Sequence, residues 1–324
     1  MPSYTKRGGD LVQPTTSETF SINNPQHRAA AAVRLANWGL QGSKSDLATG
    51  KQWYHTAHEI VGENARTHGI SMEKAAAVTS ILSPGSDWSS RNIGALSQAI
   101  GIRPHEWADI KASRFSQQAD LERRRAAGTA EKGERVKRHG DIQAMLTERA
   151  PLLGGSTDVQ LLKSHDVLTG AKTPADVFPR ETSPKTKAFY HGLLKPGHMG
   201  GQVPIDFRMA DIAHNTMRAY KVERDIGYDR TTRAQRAAGQ TESTYAAHER
   251  LIGEAGRAMA MRGGRQFAGM NQPLKAQAYL WHLGKEQELR HPEAKQSRLN
   301  PGQAFTGPKR TGQRYTSESG AASW

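Results

Sequence analysis

Trp53-Tyr-His-Thr-Ala-His-Glu-Ile-Val-Gly-Glu-Asn-Ala-Arg-Thr-His-Gly69 places Trp53, Ala57, Ile60, Val61 and Ala65 at i, i+4, i+7, i+8 and i+12. That spacing lines apolar side chains along one face of an α-helix, and Gly69 closes the pattern as a helix stop. Upstream, His27 to Trp38 is rich in alanine; Ala31, Val33, Leu35 and Trp38 are the expected buried positions and Gly39 the stop. Downstream, Ser71 is placed to cap a helix whose stretch Ala75 to Leu82 is apolar enough to be buried on all sides. The pattern breaks at Ser83-Pro-Gly-Ser-Asp87, and a further helix is expected from about Trp88 to Ile100, with Ile93, Leu96 and Ile100 inward.

Residues 103 to 140 change character, with Arg123-Arg-Arg125, Glu131-Lys-Gly-Glu-Arg-Val-Lys-Arg138 and few apolar anchors. They read as a charged insertion: a solvated helix or linker, or an arm that contacts nucleic acid. Patterning resumes from Ile142 to Leu153 and from Val159 to Leu168, before Pro174, Pro179 and Pro184 punctuate a turn-rich stretch. Residues 222 to 243 are again charged and weakly periodic, whereas Tyr245 to Met261 and Leu274 to Leu283 suggest two packed helices. Long Val-Ile-Thr alternations are missing, so the expected fold class is all-α. The domain organisation expected is a disordered arm over residues 1 to 24, one helical domain over 25 to 286 and a basic disordered tail over 287 to 324.

Of 324 residues, 45 are Lys or Arg and 31 Asp or Glu, a net charge of +14, with a pI near 10.0 and a mean hydropathy of −0.71. Such a field attracts polyanions and weakens with salt, which makes nucleic acid the expected partner class ahead of a ribosome or a membrane surface. The absence of Cys excludes disulfides, thiolate metal sites, iron–sulfur clusters and a Cys nucleophile. No nucleotide-binding glycine loop or zinc-binding His-Glu-x-x-His pattern occurs. His55 and His58, three apart on one helix, lack a third ligand nearby in sequence, so neither metal nor cofactor is expected. No apolar run approaches the roughly 20 residues that span a bilayer, and the first residues lack a signal-peptide core. No membrane partner is expected, and the location expected is intracellular, cytoplasmic or nucleoid-associated, in the host cytoplasm if the protein is viral.

The chemistry is concentrated in Gln202-Val-Pro-Ile-Asp-Phe-Arg-Met-Ala-Asp-Ile-Ala-His-Asn215. Ile205, Met209, Ile212 and Ala213 form one apolar helical stripe, and Asp206 stands at the helix start, where backbone N–H groups and the positive dipole end hold a carboxylate ionised. Taken by itself, that is also the description of an N-cap. Arg208 suits a phosphate contact or an i, i+3 pair with Asp211.

Three segments in this order resemble the helix-hairpin-helix DNA glycosylase superfamily: Val78-Thr-Ser-Ile-Leu-Ser-Pro-Gly-Ser-Asp-Trp-Ser-Ser-Arg-Asn92, Ser183-Pro-Lys-Thr-Lys-Ala-Phe-Tyr-His-Gly-Leu-Leu194 and Val203 to Asn215. The resemblance implies a two-lobed helical bundle of that type. It also implies DNA, and double-stranded DNA first, as the partner, and base flipping, with Asp206 as the catalytic carboxylate and Lys185 or Lys187 as a candidate Schiff-base nucleophile. Ser183, Thr186, Arg208, Asn92 and Trp88 are the expected DNA contacts, with Trp88, Phe189 and Tyr190 able to stack on an extruded base or to fill the core. The family's Leu-Pro-Gly-Val-Gly hairpin is replaced here by Glu181-Thr-Ser-Pro184, and Leu168-Thr-Gly-Ala-Lys-Thr173, with Lys172, is an alternative match. Glycosylase-like processing of a damaged or modified base is the implied function. A viral DNA base-modification enzyme on the same fold, or a non-catalytic DNA-binding protein, is the alternative.

Overall fold

A computed structural model describes residues 22–83, 90–131, 134, 136–178, 184–197, 202–205, 209 and 244–290 of the chain. Among the described residues the secondary structure is helical, with no strand, so the chain is all-α. Eleven α-helices can be numbered in order: α1 (Pro25–Gly39), α2 (Lys44–Thr67), α3 (Met72–Leu82), α4 (Ser90–Gly101), α5 (Pro104–Ala126), α6 (Gly140–Arg149), α7 (Asp158–Thr169), α8 (Pro174–Val177), α9 (Pro184–Leu194), α10 (Thr244–Arg262) and α11 (Pro273–Arg290). The helices belong to two compact units, one holding the described residues up to Ala57 and from Pro184 onward, the other His58–Phe178. The division falls inside α2.

Helix starts follow local chemistry. Asn24 Oδ1 accepts from the N–H groups of Gln26 and His27, and Pro25 supplies the fixed φ of a first helical turn. Ser71 accepts from the Lys74 N–H at 3.2 Å, as its position predicts. Thr157 and Gln160 form a reciprocal capping box on α7, which Gly170 ends in the left-handed region at φ 78°. Gly69 likewise turns the chain after α2 at φ 63°.

In the first unit α1 packs on α10, and α10 and α1 both pack on α11. Leu35, Leu251, Ile252, Ala255, Met259, Tyr279 and Leu280 are all buried in this core. Small residues let the helices approach: a Cβ on Gly50 would lie 2.5 Å from the Tyr279 Cα, a backbone atom that cannot swing aside. The packed chain begins before Pro25, because Ile22 is buried and its carbonyl accepts from Arg28. Val33 departs from its expected place and is 42 % exposed. The inward stripe of α1 runs through Arg28, Ala31, Ala32, Leu35, Ala36 and Gly39, and Val33 lies outside it.

The second unit surrounds α3, whose residues Ala75–Leu82 are buried throughout and pack against α4 and α7. The charged stretch 103 to 140 contains α5, which is more than a solvated rod: Trp107, Ile110 and Leu121 are buried on one face while Arg123 and Arg125 stay exposed. Three anchors spread over about four turns are enough to seat a helix whose other faces are charged.

Arg138 follows α5 and fastens the turn before α7. Its guanidinium donates to Asp158 Oδ1 at 2.6 Å, to Gln143 Oε1 at 2.9 Å, to the Gly154 carbonyl at 3.1 Å and to the Ser156 carbonyl. The Arg138 and Asp158 side chains are 10 % and 7 % exposed, so removing one partner leaves a buried charge uncompensated. Arg138→Ala is expected to lower unfolding free energy by about 3 kcal/mol in urea titrations. A loss below about 1 kcal/mol would show that water replaces the guanidinium without cost.

Asp46 ties α2 to α11. Its Oδ1 lies 3.3 Å from His282 Nε2, while Oδ2 accepts from the Ser43 hydroxyl and N–H at 2.7 and 3.1 Å. The hydrogen bond to His282, joined by those from Ser43, outweighs burial and lowers the Asp46 carboxyl from 3.8 to about 2. A folded-state value below the unfolded one adds stability that is present above about pH 4 and is lost as pH falls toward 2. Asp46→Asn is therefore expected to flatten the fall in unfolding free energy between pH 5 and pH 2.5. An unchanged slope in the variant would contradict this.

Candidate functional site

Asp206, Arg208, Ser183 and Trp88 lie outside the described residues, but the chain entering Asp206 does not. Val203, Pro204 and Ile205 are buried, Val203 and Ile205 to 1 % exposure or less, and Met209 on the far side of Asp206 is fully buried. A buried peptide outside any helix has no helical partners for its N–H and carbonyl groups, so other parts of the protein must satisfy them.

They are satisfied by side chains from α10 and α11. The Val203 N–H donates to Glu249 Oε1 at 3.0 Å. The Tyr245 hydroxyl donates to the Val203 carbonyl at 2.9 Å and accepts from the Ile205 N–H at 3.0 Å. Gln277 Nε2 donates to the Pro204 carbonyl at 3.2 Å, and Gln277 Oε1 in turn accepts from the Tyr54 hydroxyl at 3.2 Å. Tyr245, Gln277 and Tyr54 are all about 5 % exposed or less. Three side chains from two helices thus hold three consecutive residues, with Tyr54 of α2 behind Gln277, and those residues end where Asp206 begins.

Tyr54 also locates α9. A Cβ on Gly192 would sit 2.6 Å from Tyr54 Cε1, so only glycine lets α9 lie against that ring. On the same helix Phe189 packs 6.1 Å from Trp53 and 6.4 Å from Tyr54, measured between ring centroids. Trp281 of α11 lies 6.1 Å from Trp53, with Lys285 Nζ 5.7 Å over its ring. Trp53, Phe189 and Trp281 are only half-buried. They leave part of an aromatic cluster open to solvent beside a cation.

Lys185, Thr186 and Lys187 occupy the first turn of α9, all half-buried. Lys185 stands four residues before Phe189 and therefore on the helix face that carries this cluster. Lys187 is rotated about 200° from Lys185 around the axis and belongs to another face. Tyr190 is buried to 5 % exposure, as a core aromatic. Asn92, 2 % exposed on α4, and Lys172, paired with Asp166 at 2.8 Å, belong to the other unit.

Sequence reasoning missed Tyr245, Glu249, Gln277 and Tyr54, together with His248, an imidazole 1 % exposed on α10 between the two anchors. The signal available was a polar triplet at i, i+3 and i+4, Tyr245, His248 and Glu249, at the head of a helix whose inward stripe is otherwise apolar. Among the described residues no group of His, Asp and Glu is arranged to hold a metal, and no helix is long and apolar enough to cross a membrane.

The profile of a protein family, described as a family of unknown function (DUF7178), matches residues 20–248. The match spans more than half of the chain. No curated protein and no solved structure matches it.

Tyr245→Phe removes the hydroxyl that serves both the Val203 carbonyl and the Ile205 N–H, leaving two buried backbone groups unpaired. A loss of about 1 to 3 kcal/mol in unfolding free energy is expected, against less than about 0.5 kcal/mol for Gln202→Ala at the exposed neighbour. Equal effects would show that the hydroxyl does not hold this peptide.

Proposed function

The chain belongs to the DUF7178 family, and we propose that this member is a DNA-binding enzyme that acts on a flipped nucleotide at or near its glycosidic bond, with Asp206 as the essential carboxylate. The proposed fold is the two-lobed helical bundle of the helix-hairpin-helix glycosylase type. The observation that carries the proposal is the buried anchoring of Val203–Ile205 by Tyr245, Glu249 and Gln277. A cap on a surface helix needs no such support, whereas a reacting carboxylate must be placed within a fraction of an ångström of its target.

The proposed chemistry needs a carboxylate fixed in this way. As the bond between C1′ and the base nitrogen lengthens, positive charge builds on the sugar, and a fixed carboxylate stabilises it. Water then adds to C1′ and the base leaves with the bonding electron pair and a proton. Alternatively, a neutral Lys185 amine adds to C1′, and loss of the base leaves an iminium on the ring-opened sugar. The half-open cluster of Trp53, Phe189 and Trp281 offers faces on which a base can stack, and the net charge of +14 draws in the backbone. The Glu181-Thr-Ser-Pro184 sequence favours a second proposal, a non-catalytic DNA-binding protein, because it lacks the glycines that bring backbone N–H groups to a phosphate.

Abasic-site formation and borohydride trapping, measured on duplexes carrying a panel of damaged and modified bases, separate the two. The enzyme is expected to release one class of base, with Asp206→Asn slower by about 10²- to 10³-fold and DNA affinity unchanged within about threefold. Trapping, where it occurs, is expected to vanish in Lys185→Ala and persist in Lys187→Ala. The absence of product from every duplex, with full DNA affinity in Asp206→Asn, would leave the non-catalytic protein.

A further inference from the structure

The unit that does not carry Asp206 has a cavity of about 350 Å³ lined by Gln98, Ile102, Arg103, Glu106, Met145 and Arg149, among others. Its polar wall is organised by one carboxylate. Glu106, 6 % exposed in the first turn of α5, accepts from the Arg103 N–H through Oε2 at 2.9 Å. Its Oε1 accepts from two guanidiniums at once, Arg103 Nη2 at 2.7 Å and Arg149 Nη1 of α6. The hydrogen bonds with Arg103, backbone first, keep the Glu106 carboxyl below its ordinary range despite burial.

Each guanidinium has five N–H donors, and Glu106 takes one from each. Among the described residues Arg103 and Arg149 make no further side-chain hydrogen bond, and both side chains stay about half exposed, at 51 % and 47 %. The remaining N–H edges are thus held beside the cavity by a carboxylate that is itself locked in place. Gln98 adds to the same wall. Its Oε1 accepts from the Leu152 N–H at 2.9 Å, which leaves its amide N–H groups for a ligand. The rest of the lining includes apolar residues, with Ile102 and Ala150 buried and Met145 half-buried.

We infer that this cavity binds a phosphoryl group carried on a compact organic body, of the size of one nucleotide. Two guanidiniums and one carboxylate leave a net positive charge, which selects an anion. Forked N–H pairs match the oxygens of phosphate. Pre-positioning by Glu106 removes much of the side-chain entropy that two free arginines would lose on binding. The volume lies at the lower end of small-molecule sites and exceeds what inorganic phosphate fills, so the apolar part of the lining is there for the remainder of the ligand. A free nucleotide and the phosphorylated end of a DNA strand present the same chemistry. The inference does not involve Asp206 and stands or falls apart from the proposed catalysis.

The test is equilibrium binding to the full chain by titration calorimetry, with inorganic phosphate, a deoxynucleoside 5′-monophosphate, the parent deoxynucleoside, and short oligonucleotides with 5′-phosphate or 5′-hydroxyl ends. The monophosphate or the 5′-phosphorylated strand is expected to bind at least tenfold more tightly than its unphosphorylated counterpart. Arg149→Ala is expected to weaken that binding at least tenfold, and Arg149→Lys, which keeps the charge but loses the fork, by about threefold or more. Arg66→Ala, an exposed arginine outside the cavity, leaves it unchanged. Preference for the free monophosphate identifies a small-molecule site, and preference for the phosphorylated strand identifies a DNA-end site; both support the inference. Equal binding with and without phosphate overturns it, as does phosphate-dependent binding that survives Arg149→Ala in a variant with the melting temperature of the parent.

Discussion

A buried peptide must find partners for its own N–H and carbonyl groups, and the first unit is arranged around meeting that demand for Val203, Pro204 and Ile205. Tyr245 and Glu249 meet it from α10, Gln277 from α11, and Tyr54 from α2 by orienting Gln277. Each of these side chains can do so only because apolar packing fixes its helix: Leu251 and Met259 seat α10, while Tyr279 and Leu280 seat α11. Gly50 and Gly192 permit the close approaches that bring α2 to α11 and α9 to α2. Local stability and the position of Val203–Ile205 are therefore one property, and a change that loosens the relay disturbs both.

The same logic of a locked group that orients others recurs in the second unit. Arg138 is a finished structural clamp, with carboxylate, amide and carbonyl acceptors around it, little exposure, and no evident role beyond holding the turn before α7. Glu106 differs. It holds two arginines whose outer edges stay open on a cavity. The contrast separates a buried ion pair that stabilises from one that presents charge to a ligand, and it rests on exposure and unused donors more than on distance.

Helix positions were largely legible in the sequence because their signals are local. Ser71 caps within one turn, Gly69 stops α2 through its own backbone, and Ala75 to Leu82 is apolar enough, apart from Thr79 and Ser80, to be buried on every face. Burial was less so. Val33 sits one position off the stripe that its alanine neighbours define, and the wide spacing of Trp107, Ile110 and Leu121 hid the packed face of α5 among charges. The relay around Val203–Ile205 was not legible, since Tyr54 and Gln277 are 223 residues apart in sequence and meet only through the fold. Periodicity marks which face of a helix is apolar. It carries no record of which tyrosine hydroxyl reaches which distant carbonyl. Asp206 stood out because Pro204 and the apolar stripe flank it, and its resemblance to a catalytic aspartate rests on those neighbours.

We propose that the Tyr245 hydroxyl and its companions place Asp206 for reaction. This placement is tested most directly by the single-turnover rate of base release, on whichever modified duplex responds, for Tyr245→Phe at a temperature well below its melting point. The rate is predicted to fall at least tenfold while DNA affinity stays within about threefold, because a small misplacement of a reacting group costs rate before it costs binding. A rate equal to that of the parent protein would contradict the claim and leave Val203–Ile205 as core packing alone.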